Sequence, residues 1–520
     1  MTITPQGQLY LCKTPLENDY KNQLTFSSAN DQLTYFNSTI QHTFDNYTYI
    51  KKDNVLQVGK NIDEIIDCNY LFYKNTGFTN KWYFCFITNM EYVNENCTRI
   101  TFETDCYQTW LFQINYKQCF VEREHVNDDR VGLHTVPENL ETGEYIMVND
   151  YTKNSTPFQT MFYIMCAVID PFVKVNNKFS KTGGDRYDGV YSGYDYFYFK
   201  NASDLSNKLL EIDNSGQSDS VLSIFMYPDE LLNLTPYNNN NDYGYVTPSG
   251  SPKTYTLANI TLPQSLGQNK SYTPKNNKLL TYPFTFLQIS NNAGTINNIE
   301  YENISEIDSG AELDMVGQIN SGGQIICYLE KAKNFQSSPS TIYTPLILNV
   351  AKLPVCTWNS DVYINWLTQN GINVVGDVLN IGKDILNPSF ENTTNILSVA
   401  SKYYQHSLAP NTVKGQANNN TPLLSLGQLE PRAYQISIKE EYAKIIDNIF
   451  SMYGYKINEV KVPNITGRLN WNYVKTINCN FDGNIPQTDL NIIKAMFNNG
   501  VTLWHNPSTI YNYSNSNNII

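Results

Sequence analysis

Short, dense runs of aromatic and aliphatic residues constrain this chain more than any other feature. Lys81–Ile87 (KWYFCFI) is an almost continuous apolar run, the pattern of a strand buried on both faces. Ile100–Cys106 (ITFETDC) instead alternates, which predicts a strand with one face in solvent. Met161–Ile169, Tyr194–Phe199, Leu279–Ile289, Gly323–Leu329, Thr344–Ala351 and Ala433–Ile438 are further strand-type runs, separated by Asn-, Gly- and Pro-rich turns.

The remaining composition agrees with those runs. With 39 Tyr, 24 Phe and only 16% charged residues, the chain favours strands joined by turns over long helices. The expected fold class is mainly β, β-rich α+β, with a helical insert. Its 520 residues suffice for two to four domains. A formal charge of −13 argues against a surface that grips phosphate backbones. No run of 18 apolar residues suggests a transmembrane helix, and Met1–Tyr20 lacks the basic start and apolar stretch of a signal peptide. Ten cysteines without any C-x-x-C spacing suggest free buried thiols and synthesis in a reducing cytoplasm.

These signals divide the chain into an N-terminal β-rich domain (1–125), a polar linker (126–152) and a middle β-rich region (153–357). A helical insert (358–420) and a C-terminal β-rich segment (421–520) follow. Within the middle region, Asn238–Lys253 is expected to be a loop that separates two subdomains or forms an exposed tip, and Ala202–Ile212 a short helix capped by Ser203 or Asp204. Ile62, Ile65 and Ile66 recur at helical spacing between Asn61 and Tyr73. Glu440–Tyr453 is expected to be a helix with Tyr442, Ile445, Ile446, Ile449 and Phe450 on one side and Gly454 as its C-terminal cap. Asp489–Asn499 forms another, ended by Gly500.

The insert stands apart from its surroundings. Ile372, Val375, Val378, Leu379, Ile385 and Leu386 fall on one face of a helix. After the breaker Asn387-Pro388, a second helical pattern carries Ile396, Leu397, Val399, Ala400, Tyr403 and Tyr404. Amphipathic helices in a mostly β chain need an apolar partner: the core itself, another chain, a channel or a membrane.

Catalytic chemistry has little support. Glu122-Arg-Glu-His125 is the one local cluster of titratable residues, and its two carboxylates share a strand face opposite Arg123 and His125. An ion-pair or interface role is the favoured reading, because two ligands at i, i+2 without a third do not make a metal or acid–base site. His42, His134, His406 and His505 are isolated. Asp185, Asp188 and Asp195 around a Gly-rich turn offer a weak calcium pattern. No G-x-S-x-G, H-E-x-x-H or Walker-type motif occurs, so no cofactor, catalytic residue or metal ligand is assigned.

Several blocks, in order, carry a family resemblance. Gly454–Asn464 (GYKINEVKVPN), Trp471–Thr476 (WNYVKT), Gly483–Pro486 (GNIP) and Phe497–His505 (FNNGVTLWH) resemble the C-terminal part of the tail-knob, or distal tail-tube, proteins of phi29-like short-tailed phages. Pro15–Asn22 (PLENDYKN), Asn80–Thr88 (NKWYFCFIT), Phe102–Trp110 (FETDCYQTW) and Phe120–Val126 (FVEREHV) resemble the family's N-terminal third. The resemblance implies a virion protein without a catalytic site, forming a homohexameric tube of β-barrel domains. It implies lower-collar and tail-tip proteins as partners, genomic DNA passing without specific binding, and a loop that plugs the bore and acts on the host cytoplasmic membrane. In family order that loop corresponds to Trp358–Ala417. Here the segment holds Asp361, Asp377, Asp384, Glu391, Lys383, Lys402 and Lys414, whereas the family's loop is nearly uncharged, so channel closure carries over better than membrane penetration. A receptor-binding or cell-wall-degrading tail protein is the alternative, for which no carboxylate pair stands out. A pore-forming toxin would share the amphipathic insert but carry a secretion signal.

Overall fold

The computed structural model describes residues 7–357 and 431–520, apart from 46, 51–52, 76–80, 154–159, 183–185, 188–189, 192, 248–252, 291–295, 305–310, 320–322, 330–336, 339–340, 343–346 and 353–354. The described chain is dominated by strands, in line with the expected mainly β class. It divides into two compact units: 1–141 with 274–279 and 441–520, and 142–273 with 280–440.

The first unit is built on a seven-stranded antiparallel sheet. Its strands are β1 (Gly7–Cys12), β3 (Ile40–Phe44), β4 (Tyr47–Ile50), β5 (Val55–Val58), β6 (Tyr70–Asn75), β7 (Trp82–Asn94) and β8 (Cys97–Thr104), in the order β3-β1-β6-β7-β8-β5-β4. The two edge strands are consecutive in the chain, so the sheet curls back into a half-barrel. Tyr47 accordingly lies against Gly7, where an added Cβ would meet its hydroxyl at 2.6 Å.

Period-2 alternation then sorts the aromatic runs between two cores. Leu9, Leu11, Leu71, Tyr73, Cys85, Ile100 and Phe102 fill the concave side. Tyr70, Phe72, Phe84 and Phe86 point the other way, against Phe36 of helix α1 (Ala29–Ser38) and against Trp471 and Trp504. The Lys81–Ile87 run is therefore buried on both faces where it pairs with β6, as its composition predicts, and β8 is buried only at alternate positions.

The chain's two ends meet in a second, five-stranded sheet. Its order is β2 (Asn22–Leu24), Val501–Trp504, Trp471–Ile477, β9 (Cys119–Glu124) and Tyr455–Lys461. Asn22–Leu24 pairs in parallel with Thr502–Trp504, so residues 480 positions apart share a ladder.

Among the described residues, three larger sheets build the second unit, beside three two-stranded ones. The largest runs Leu234–Tyr237, Asn240–Val246, Asp195–Phe199, Met161–Ala167, Val221–Pro228, Val355–Thr357. One four-stranded sheet contains Thr254–Ile260, Ala311–Ile319, Gly323–Leu329 and Ile347–Lys352; the other contains Tyr145–Asp150, Arg432–Ile438, Thr285–Ser290 and Ile296–Ile299. All three contribute to one core that includes Ile164, Tyr196, Phe225, Leu287, Ile289, Leu313, Met315 and Cys327. The opposite face of the Met161–Ala167 strand packs Tyr163 and Met165 against Leu205, Leu209 and Ile212 of helix Ala202–Asn214.

Several local expectations differ from the structure. Asn238–Lys253 is not a loop throughout: Asn238 and Asn239 take φ of 49° and 62°, the left-handed pair of a tight hairpin turn, and Asn240–Val246 is the strand that follows. Helix Ala202–Asn214 starts at Asn201 without a side-chain cap, instead of at Ser203 or Asp204. The helical spacing at Ile62 yields only the one-turn helix α2 (Ile62–Ile65) before β6 begins. The stretch expected as a linker is divided: residues up to 141 pack into the first unit, with Val126 and Glu138 buried, and Tyr145–Asp150 is a strand of the second. Within 421–520, Arg432–Ile438 pairs with Tyr145–Asp150 and Thr285–Ser290 of the second unit. On helix Glu440–Tyr453 the buried face is Ala443, Ile446, Asp447 and Phe450, while Ile445 is 59% exposed.

Candidate functional site

The Glu122-Arg-Glu-His125 cluster forms the end of β9, between the Trp471–Ile477 and Tyr455–Lys461 strands. Its register explains how four polar residues can sit in the middle of a sheet. Against Trp471–Ile477, Arg123 pairs with Lys475 and Val121 with Thr476, which leaves Glu122 as the extra residue of a β-bulge. The bulge breaks the strand alternation, so Glu124 is fully buried while Glu122 retains contact with solvent.

Each charged group has a partner. Glu122 meets Lys475 at 2.8 Å, and Arg123 pairs with Glu138 and donates to Gly454 O at 2.8 Å. Glu124 accepts from Lys461 Nζ at 2.6 Å and from Asn464 N at 2.7 Å. Burial raises the Glu124 carboxyl above its ordinary range, opposed by those two donors. His125 receives Tyr473 N–H on Nδ1 at 2.8 Å, so the proton is on Nε2, which donates to Ser451 O at 3.1 Å. Burial, with Arg468 nearby, pushes His125 down to about 3.

Residues far away in sequence complete the junction. Arg468 donates to Val126 O at 3.0 Å and Asn517 O at 3.3 Å. Asp129 accepts from Tyr455 OH at 2.5 Å and Asn277 N at 2.8 Å. Asp447, fully buried, accepts from Lys275 N (2.7 Å), Asn276 N (3.1 Å) and Asn276 Nδ2 (2.7 Å), fastening 274–279 into the first unit. An adjoining cleft of about 690 Å³ is lined by His125, Asp129, Asn276, Ser451, Arg468 and Tyr513, among others. Because both His125 nitrogens and both Glu124 oxygens are engaged, neither residue presents a free acid or base to it, and the cluster acts as an ion-paired clamp. Asp447→Ala removes the acceptor of three donors, two of them on buried Asn276, and is expected to cost about 3–5 kcal/mol in urea unfolding followed by tryptophan fluorescence. A loss below about 1 kcal/mol would show that the tether is dispensable.

The other sequence candidates fall as follows. Ile372, Val375, Val378, Leu379, Ile385, Leu386, Ile396, Leu397, Val399 and Tyr403 of the insert lie outside the described residues, as do His406, Asp185 and Asp188. Asp195 opens the Asp195–Phe199 strand. His42 contacts Glu64 O, His134 contacts Asp128 O, and His505 contacts Asn472 Oδ1 at 2.9 Å. Among the described residues no group of three His, Cys, Asp or Glu is placed to hold a metal ion. No described helix is long and apolar enough to cross a membrane. Cys12, Cys68, Cys85, Cys106, Cys119, Cys166, Cys327 and Cys479 are free and buried, as their apolar settings predict. Asp447, Arg468 and Asn464 each stand alone in sequence, and Asp129 is hidden in the polar run Asn127-Asp-Asp-Arg130, so none of the four marks a site. Only Asp447 carried a signal, a carboxylate at a core-facing helix position beside Ile446 and Phe450.

Known proteins share this architecture. Residues 8–117, which hold the half-barrel, match the family of the caudoviral major tail protein N-terminus. Residues 371–518 match the C-terminal domain of the Bacillus phage phi29 tail knob protein gp9. The solved bacteriophage C1 tail knob protein gp12 superposes with a TM-score of 0.60 at 18% identity, covering 99% of this chain and 100% of that one, a likeness of fold. The tail knob protein gp9 of Bacillus phage B103 is 24% identical over 94% of this chain and 95% of its own length. Those of Bacillus phages PZA and phi29 are each 25% identical over 98% of this chain and 97% of theirs. These matches place the chain among the structural tail proteins of short-tailed phages, components of the virion. Within that class its likeness is to the tail knob proteins of phi29-like phages, at 24–25% identity over nearly the whole chain.

Proposed function

We propose that six copies of the chain form the distal tube of a short tail, that DNA leaves through its bore, and that 358–420 closes the bore until ejection. The observation that carries this reading is the collinear match, over 94–98% of the chain, to proteins named for the tail knob. The half-barrel supports it as a module of tail-protein type at the N-terminus. So does the charge: at −13 per copy, a ring repels phosphates and lets a duplex slide instead of gripping it. In this reading the chain has no catalytic role, and its partners are further copies of itself, the lower-collar and tail-tip proteins and, at ejection, the host cytoplasmic membrane. The chain is made in the host cytoplasm before assembly.

Size-exclusion chromatography with light scattering at virion-like salt is expected to give six times the 59.5 kDa chain mass. A stable monomer would sink the ring. Deleting 360–417 is expected to leave assembly intact while changing DNA ejection or dye release from liposomes. If neither changes, the plug assignment is withdrawn.

A further inference from the structure

A second polar centre lies in the first unit, away from the β9 clamp. Asp105, fully buried, is the single residue between β8 and the short helix α3 (Cys106–Trp110), whose N-terminus it caps. Its Oδ1 accepts Gln108 N–H at 3.1 Å and its Oδ2 lies 3.0 Å from the hydroxyl of Tyr70, itself fully buried. The titratable groups facing it are Tyr70 from β6, Cys85 from β7, Tyr20 from the segment before β2, and Cys106 and Tyr107 of α3. Asp489 of helix Gln487–Asn499 adds negative charge beyond Cys106. None of these is a cation, so an ionised Asp105 would be a buried carboxylate without a counter-charge.

What Asp105 holds is a junction of several elements. Its backbone N–H donates to Phe84 O at 2.8 Å, and Thr109 of α3 both donates to Phe84 O and accepts from Phe84 N. Gln108, 1% exposed, donates to Gln23 Oε1 and Leu24 O of β2, and receives Gln32 of α1 on its own carbonyl and amide oxygens. Trp110 donates to Asp489 at 2.7 Å. The turn capped by Asp105 thus ties the half-barrel to α1, to β2 and to helix Gln487–Asn499.

We propose that Asp105, buried at the α3 junction without a counter-charge among the groups that face it, is a proton-binding site, and that release of its proton loosens that junction. Burial, only partly offset by the Gln108 N–H, the Tyr70 hydroxyl and the Tyr107 N–H, raises the Asp105 carboxyl to about 7. The sense of the coupling follows from linkage. A carboxyl whose titration is raised on folding strengthens the closed junction fully below its unfolded range near 3.8, and that contribution is lost as pH rises towards 7. This device is independent of the tube and of the plug.

Hydrogen exchange read by mass spectrometry on the full-length protein tests it. After correction for intrinsic rates, protection of peptides spanning 105–113 is expected to fall by up to tenfold per pH unit from pH 5 to 7 and to level off above about 7. The Asp105→Asn variant keeps a capping side chain and is expected to show flat protection over the same range. A flat wild-type profile overturns the proposal whether or not the variant folds. An unchanged slope in the variant overturns it too, as does the same slope in the Met161–Ala167 strand, which would make the effect global.

Discussion

Gly454→Ala is expected to unfold the first unit, with a loss of more than about 3 kcal/mol. Gly454 ends helix Glu440–Tyr453 at φ +60°, its N–H bonded to Phe450 O at 2.8 Å, and starts the next strand. The left-handed conformation alone costs a non-glycine residue about 1 kcal/mol. The larger effect is steric: a Cβ would lie 2.2 Å from Glu124 O and 2.7 Å from His125 N, both backbone atoms at the β9 clamp that no rotamer change can clear. Gly216, after helix Ala202–Asn214, is the internal control. Its φ is +68°, with nothing within 4 Å of an added Cβ, so Gly216→Ala is expected to cost only about 1 kcal/mol. Comparable small shifts of both variants in thermal melts would refute the close approach.

Gly454 also shows how far such features can be read from a sequence. A glycine after an amphipathic run predicts the helix end, and the structure has it there. Nothing in GYKINEVKVPN says that the neighbour is the backbone at Glu124, some 330 residues earlier, because the contact depends on the five-stranded sheet that joins the chain's two ends. Strand runs were legible for the same reason that helix ends were: alternation and breakers are local. Lys81–Ile87 and Met161–Ile169 are buried on both faces because they lie between two packed layers, and their composition records it. Asn238–Lys253 misled because Asn and Gly density marks turns without saying how short they are; a two-residue left-handed turn at Asn238-Asn239 releases the chain at once into a strand. For the EREH cluster the ion-pairing reading matches the structure, but the expected shared face for Glu122 and Glu124 does not, since a bulge is set by cross-strand register. Asp105 gave no signal beyond being one acidic residue after a strand.

Acid is expected to weaken the first unit through His125 and His505. Burial lowers His125 to about 3 and His505 to about 4, from an ordinary value of 6.5. The neutral ring is therefore the form that the fold holds, and protonating His125 Nδ1 would also break its bond from Tyr473 N–H. Both groups contribute stability that is present above pH 6.5 and lost as pH falls, because in that range the unfolded chain binds protons that the folded one does not. Each histidine accounts for about 1.4 kcal/mol per pH unit below 6.5, down to its folded value. Raised carboxyls work in the opposite sense: Asp105, Glu124 and Asp129 favour the folded state as pH falls through their titration. The raw profile of the wild type is thus a difference between opposing slopes, and its flatness or steepness alone does not identify the histidines. A double comparison does. His125→Gln offers an amide oxygen to Tyr473 N–H and an N–H to Ser451 O without a group that titrates in this range, and leaves the carboxyls in place. The stability gap between wild type and variant, measured by urea unfolding, is expected to move in the variant's favour by about 1.4 kcal/mol between pH 6 and pH 5. Parallel profiles would mean that His125 is protonated in the fold, and the tautomer assigned from its two hydrogen bonds would then be wrong.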